Sequence, residues 1–337
     1  MNLKEHTERL LPAIEAELQR QVARLDDPQT RAFHEMLAYH MGWTNADGPR
    51  TAAGKRIRPL LVLLVASDCG SAWMPALPAA AAVEIIHNFS LVHDDIEDNS
   101  ETRRGRLTLW KKYGVPMAIN AGDAFFSIAN QAILDLAPHY APDRIVRAAG
   151  VLHAACLQLT QGQFLDMSFE KRLDVTVAEY WPMIEGKTAA LLSAAAQIGA
   201  ILGGCKEATL QSYAAFARNL GLAFQVRDDI LGIWGDEKAT GKSVASDLLE
   251  RKNSLPILFG IAHQGEFARR WAAGPVTLAD TSRLANALKD EGAYAYAEGE
   301  AQRLTALAME ALEAANPAGG RGSLLAELAT ALLNRRA

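Results

Sequence analysis

The sequence has little cysteine, few aromatic residues and no excess of positive charge. Its only cysteines, Cys69, Cys156 and Cys205, stand far apart in apolar company. An odd number without metal-ligand spacing excludes a zinc ribbon or a small disulfide-stapled fold, and predicts three reduced, packed thiols in a cytoplasmic protein. A formal charge of −5 lacks the basic face that nucleic acid demands. No apolar run approaches the roughly 18 residues that a membrane span needs. The start, Met1-Asn2-Leu3-Lys4-Glu5, lacks the apolar centre of a signal peptide. The expectation is a soluble, cytoplasmic protein with no transmembrane segment and no nucleic-acid partner. A lipid-like substrate stays compatible with all of this.

Alternating strand patterns are also missing, and Val and Ile are scattered among Ala and Leu. What is present is helical periodicity. Half of the 337 residues are hydrophobic, ample for a large core. Leu10, Leu11, Ile14, Leu18, Val22 and Leu25 recur at spacings of three and four, an amphipathic stripe over 5–25. Gly42 to Gly54 reads as a break. Pro59 opens a helix at its first turn, with Leu60–Ala66 continuing it. Further helices are predicted over 79–99, 116–137, 143–167, 177–203, 207–234, 253–271, 280–291, 293–315 and 321–335, punctuated by Pro138, Gly203-Gly204 and Gly235. With no low-complexity linker, heptad run or tandem repeat, the reading is one all-α domain over 1–337.

Two acidic clusters sit inside this apolar background: Leu91-Val92-His93-Asp94-Asp95-Ile96-Glu97-Asp98 and Phe224-Gln225-Val226-Arg227-Asp228-Asp229. Carboxylates so crowded repel one another and resist desolvation, so they need a compensating charge. Asp94 and Asp98 lie four apart and share a helix face. Magnesium suits such a pair, since it takes one or two carboxylates together with substrate phosphates and water. Position 232, four beyond Asp228, is glycine, so the second cluster has fewer clamp carboxylates and is expected to hold one ion where the first holds two.

The cations are local. Lys55, Arg56 and Arg58 precede a helix start, a favourable place for phosphate. Arg103, Arg104 and Arg106 follow the first cluster, and guanidinium forks bind phosphate oxygens bidentately. Lys187-Thr188 stands at the edge of the small-residue run Ala189–Ala196, and Lys242 lies close to the second cluster. Solvated surface explains any one of these cations, but not the set. Thr240-Gly241-Lys242-Ser243 lacks the upstream glycine and strand of a nucleotide-binding loop.

Five motifs then occur in order: Gly54-Lys55-x-x-Arg58-Pro59, Asp94-Asp95-x-x-Asp98 with Arg103-Arg104, Gly162-Gln163, Lys187-Thr188, and Gln225-x-x-Asp228-Asp229 with Lys242. In this the sequence resembles the all-trans isoprenyl diphosphate synthases, or polyprenyl synthetases, over about 50–260, and most of all geranylgeranyl diphosphate synthases. The resemblance implies an antiparallel helical bundle around a deep cavity, with both acidic motifs at its mouth. It implies that Asp94, Asp98 and Asp228 hold three magnesium ions on an allylic diphosphate, assisted by Arg103, Lys187 and Lys242. Lys55, Arg58, His87 and Arg104 would bind isopentenyl diphosphate. Thr188 and Gln225 would place oxygen dipoles beside the allylic cation, and the departing diphosphate would take the proton.

Phe89, five residues or roughly 7.5 Å of rise before Asp94, is the expected floor of the product cavity, with the smaller Ser90 beside it. In the resembling family this pairing goes with a C20 product. Geranylgeranyl diphosphate is therefore expected, with farnesyl or longer products as alternatives. An ideal helix puts Ser90, not Phe89, on the face of Asp94, so geometry alone does not choose the aromatic. The motif also lacks the two-residue insertion of many bacterial farnesyl-type enzymes. The apolar helices flanking the first cluster suggest a homodimer. Rival readings fit less well: His93-Asp94 lacks the further histidines of a metal phosphohydrolase, and Glu84-Ile85-Ile86-His87 has no second copy for a di-iron bundle. Complete acidic motifs argue against a non-catalytic prenyl diphosphate binder.

Overall fold

The computed structural model describes residues 3–44, 56–170, 172–235, 245–316, 319–320 and 323–333. Helices follow one another as α1 (Leu3–Val22), α2 (Arg31–His40), α3 (Ile57–Asp68), α4 (Leu77–Glu97), α5 (Leu109–Tyr113), α6 (Val115–Leu134) and α7 (Pro142–Phe169). Then come α8 (Val177–Ile184), α9 (Ala190–Gly203), α10 (Glu207–Trp234), α11 (Ser246–Leu249), α12 (Leu255–His263), α13 (Glu266–Ala272), α14 (Leu278–Asp290), α15 (Ala293–Ala315) and α16 (Leu324–Leu333). Among the described residues the strands are β1 (Thr102–Arg103) and β2 (Arg106–Leu107), one short hairpin. The protein is all-α, as its periodicity predicts. The chain forms two compact units, residues 1–153 with 195–206, and residues 154–194 with 207–337.

In the first unit α4 is the central element. Pro78 sits in its first turn, where a missing N–H costs nothing. Ala79 to Val83, Ile85 and Ile86 are all at most 1% exposed. Small side chains on every face let α1, α3 and α6 pack around it,. Helix α3 contributes an unbroken buried run from Pro59 to Ala66. Each such Leu or Val contributes about 1.5–3 kcal/mol of burial, and Leu61→Ala would cost about 2–5 kcal/mol. The segment Met74–Glu97 is the one described stretch long and apolar enough to cross a membrane by length and composition, contrary to the sequence reading. With 67% of its apolar window buried inside the protein, it is a core helix.

The cysteines require a second correction. Cys69, at the end of α3, and Cys205, just after α9, form a disulfide with a Cα–Cα distance of 5.9 Å. They are 136 positions apart in sequence, and linear spacing carries no information about two helix ends meeting. Only Cys156 is free and buried, its thiol pushed up to about 11 by burial. The cytoplasmic expectation loses this support, because disulfides are rare in reducing compartments.

In the second unit α10 packs along α15. Below its C-terminal end, Ile233, Leu248, Ile257, Phe267, Leu284 and Leu288 form a core in which none exceeds 1% exposure. A capping box starts α8: the Glu179 N–H donates to Thr176 Oγ1, and Glu179 Oε2 accepts from the Thr176 N–H. That exchange satisfies two orphan donors. Two predicted helices are broken. Gln264, at φ 59°, separates α12 from α13. A π-turn, Glu185–Ala189, separates α8 from α9, and it holds the Lys187-Thr188 motif.

Candidate active site

In the first unit the acidic motif ends α4. Asp98 is its exposed C-cap, and the Asp98 N–H donates to the Asp94 carbonyl at 2.9 Å. Asp94 is 20% exposed at its side chain and Asp95 only 2%. Arg103 compensates both. Its Nη2 donates to Asp94 Oδ2 at 3.2 Å, and its Nε to Asp95 Oδ1 at 2.8 Å. Burial still raises the Asp95 carboxyl above its usual range, against the pull of Arg103. Asp95 is thus an internal anchor for Arg103, a role its spacing in the motif did not reveal.

The hairpin explains how neighbouring arginines diverge. Arg103 pairs with Arg106 across the ladder, leaving Arg104 and Gly105 as a two-residue turn with φ 52° and 75°. Both central residues of such a turn need positive φ, a demand glycine meets and arginine tolerates at a cost. Arg103 faces the carboxylates. Arg104 instead feels the charges of Arg56, Glu84 and Arg103, and burial pushes its guanidinium below the usual range.

Arg58 and His87 belong to this second set. Burial lowers Arg58, with Glu84 opposing. His87 falls well below its usual value through burial, then through Arg58, Arg104, Arg103 and Arg56. Its ring is therefore neutral near pH 7 and offers hydrogen bonds rather than charge. Of the residues predicted to bind isopentenyl diphosphate, Arg58, His87 and Arg104 share one electrostatic neighbourhood, and Lys55 lies outside the described residues. Sequence reasoning missed His40, at the end of α2, pushed down to about 3 by burial and by Arg103 and Arg104. It lines a cavity of about 40 Å³ with Asn88, Asp95, Arg103, Arg104 and Thr108. Placing α2 from its own apolar spacing would have brought His40 into view.

Phe89 is half-buried. Its ring meets His93 edge-on at 4.9 Å and Phe126 of α6 at 5.4 Å. The Ser90 hydroxyl donates to the His87 carbonyl at 2.8 Å.

In the second unit a hydrogen-bonded chain organises α10. Thr188 Oγ1 donates to Gln225 Oε1 at 2.8 Å, and Gln225 Nε2 donates to Asp229 Oδ1 at 2.9 Å. Asp229 Oδ2 accepts from the Tyr180 hydroxyl at 2.7 Å and the Leu255 N–H at 2.9 Å. Burial and the nearby Asp247 push Asp229 up to about 7, against those donors. Asp228 beside it is half-buried. Lys187 Nζ donates to Asp166 Oδ2 at 2.5 Å, a partner on α7 that no motif signalled. Lys242 lies outside the described residues.

Three glycines show what the motifs need sterically. A Cβ on Gly162 would lie 2.3 Å from the Lys187 backbone nitrogen, and one on Gly186 2.5 Å from the Gln158 carbonyl oxygen. The Gly-Gln motif therefore lets α7 touch the π-turn that carries Lys187 and Thr188. At Gly232 a Cβ would lie 2.4 Å from the Asp247 carboxylate. The buried Asp247 occupies the room that a further side chain of the second motif would need.

The sequence matches the polyprenyl synthetase family over residues 46–275. This chain belongs to that family. It is a trans-prenyltransferase of the isoprenyl diphosphate synthase kind. It is 41% identical over 295 residues to a (2E,6E)-farnesyl diphosphate synthase of Mycobacterium tuberculosis, covering 84% of this chain and 80% of that one. Among solved structures, geranylgeranyl pyrophosphate synthetase of Pyrococcus horikoshii superposes with a TM-score of 0.86 at 33% identity, covering 98% of this chain and all (100%) of the other. Polyprenyl synthase of Caulobacter crescentus, complexed with calcium and isoprenyl diphosphate, gives 0.76 at 29% identity over 94% and 98% of the two chains. Polyprenyl synthetases depend on magnesium, and the donors here fit a hard cation. Asp94 and Asp98 in the first unit, and Asp228 in the second, each offer only oxygen. Among the described residues no group of three His, Cys, Asp or Glu is placed to hold an ion, which leaves positions in any shell for water and phosphate oxygens.

Proposed function

We propose that this polyprenyl synthetase joins isopentenyl diphosphate head-to-tail to an allylic prenyl diphosphate and releases geranylgeranyl diphosphate. The observation that carries the reading is the parting of Arg103 and Arg104 at the hairpin. One arginine accompanies carboxylates suited to a metal–diphosphate complex, and the other joins Arg58 and His87, suited to a diphosphate bound without metal. Asp94, Asp98 and Asp228 hold magnesium, three ions per site, while Arg103, Lys187 and Lys242 grip the allylic diphosphate. Lys55, Arg58, His87 and Arg104 grip the isopentenyl one.

Magnesium bound there neutralises charge developing on the leaving group. The allylic carbon–oxygen bond then breaks and its electron pair leaves with diphosphate. The isopentenyl double bond attacks the allylic carbon, and a proton passes to the departed diphosphate, adding five carbons. The Thr188 hydroxyl proton is committed to Gln225, so its oxygen lone pairs remain to stabilise the cation. The whole chain acts as one catalytic domain.

Isopentenyl diphosphate supplied with each short allylic primer, with and without magnesium, tests this. A C20 alcohol after dephosphorylation is expected only with magnesium. A farnesyl or longer product would overturn the chain length, and binding without condensation would overturn the reaction. Phe89, wedged between His93 and Phe126, is proposed as the cavity floor. Phe89→Ala should lengthen the product by at least one five-carbon unit on chromatography, and an unchanged product removes it from that role.

The functional particle is proposed to be a homodimer. Helix α7 leaves Val146, Leu157 and Phe164 between 61% and 71% exposed, and α6 leaves Met117 and Leu134 at 48% and 65%. Exposed apolar side chains on these helices favour covering by a second copy. Light scattering should give twice the 36.4 kDa chain mass, and a monomer would refute the pairing.

A further inference from the structure

The first unit contains a buried arginine that the motif reading leaves out of the site. Arg56 precedes α3 in left-handed backbone, φ 49° and ψ 38°, a region that residues other than glycine seldom enter. Its side chain is 2% exposed. Nε donates to Glu15 of α1 at 2.7 Å, and Nη1 donates to Glu84 of α4 at 2.7 Å. Glu15 is itself held by the Trp43 indole N–H at 3.0 Å. One guanidinium therefore ties the residue that launches α3 to two other helices.

Stability alone does not account for this arrangement. A buried ion pair contributes little net stabilisation against apolar residues of the same size, and here it fixes an uncommon backbone conformation as well. Strained backbone persists where the surroundings over-determine it, and it clusters at functional sites. The next arginine supplies the reason. Arg58 stands two residues on, in the first turn of α3, and its Nε is buried without a partner among the described residues. Arg56 Nη2 is buried and unpaired in the same way. Both arginines act electrostatically on His87, and Arg56 acts on Arg104. Cations gathered like this, with donors left unpaired, fit an incoming anion.

We propose that Arg56 is a positioning residue of the isopentenyl diphosphate pocket: clamped by Glu15 and Glu84, it fixes the left-handed turn that starts α3 and so presents Arg58 Nε to a diphosphate oxygen. The inference rests on the reading of Arg58 as a diphosphate ligand. Glutamates 15 and 84 are then spent on Arg56, which leaves Arg58 and Arg104 for the substrate.

Arg56→Lys keeps the charge but cannot hold two carboxylates in one plane. Its KM for isopentenyl diphosphate should rise about tenfold, with the allylic KM within about twofold and kcat within about threefold. Calorimetry with inorganic pyrophosphate, magnesium omitted, should show about a tenfold loss of affinity in the same variant. Equal rises in both KM values would mean a merely structural role and overturn the proposal, as would no rise in either. If Arg56→Lys does not fold, Glu15→Gln removes one charge of the clamp and leaves Glu84. It should give the same split at about threefold, and an unchanged isopentenyl KM there also overturns the idea. Pyrophosphate binding needs no turnover. Wild-type protein that binds pyrophosphate but forms no condensation product sinks the functional reading alone, and wild-type protein that binds none sinks this inference.

Discussion

The two acidic motifs are spelled alike, Asp-Asp at the end of an apolar helical stretch, yet they are neutralised by different means. At the end of α4, Asp94 and Asp95 share the guanidinium of Arg103. On α10, Asp229 has no cation among its hydrogen-bond partners within the described residues: it accepts from Tyr180, Gln225 and the Leu255 N–H, and its raised proton affinity does the rest. Ionic compensation can be exchanged, since an arginine can turn from a carboxylate to a phosphate as an ion arrives. A buried carboxyl closed in by neutral donors cannot be exchanged so readily. The first motif is thus built to trade partners, and the second to stay still beside Asp228.

The sharpest way to break this comparison is to remove a carboxylate proposed to hold metal from each side. Asp94→Ala and Asp228→Ala should each lower turnover by about a thousandfold, with the helical circular dichroism signal retained. Near-normal turnover in either variant removes that residue from the metal site. A smaller effect probes the exchange itself. Arg103→Met should cost about a hundredfold in kcat/KM for the allylic substrate. It should also move Asp95 further towards protonation, since burial would then act unopposed. If the variant loses isopentenyl affinity instead, the assignment of Arg103 and Arg104 to separate diphosphates is wrong.

Much of this arrangement can be read without coordinates, and the rest fails for identifiable reasons. Periodicity predicts α10 over 207–234 and α15 over 293–315, and both bounds match, because a long apolar period leaves little choice. The motif letters that mark Asp94, Arg103, Lys187 and Gln225 are equally visible. What the letters omit is the partner of each. Lys187, in the π-turn, meets Asp166 of α7, and Thr188 meets Gln225 from the same turn, where periodicity predicts plain helix. The hairpin that parts Arg103 from Arg104 is six residues long with strands of two, too short for any alternation to register. Cys69 and Cys205 meet only because α3 and α9 end side by side. Local pattern reports the period of an element, and long-range pairing lies outside it.

The smallest expected effect tests the fixed side of the comparison through pH. An aspartate has an ordinary value near 3.8, and in the folded chain Asp229 is raised to about 7. Between those values the folded protein holds a proton that the unfolded chain has released, so stability falls as pH rises. The contribution is complete below about pH 4 and disappears as pH climbs through 7. Asp229→Asn keeps the shape and removes the titration. In urea melts without divalent cations, the wild type should lose stability from pH 5 to 8, and the variant should lose less over that window. Parallel curves would mean that Asp229 is already ionised at pH 5. Its three neutral donors would then outweigh burial and Asp247, and the contrast between an exchangeable motif and a fixed one would no longer rest on charge.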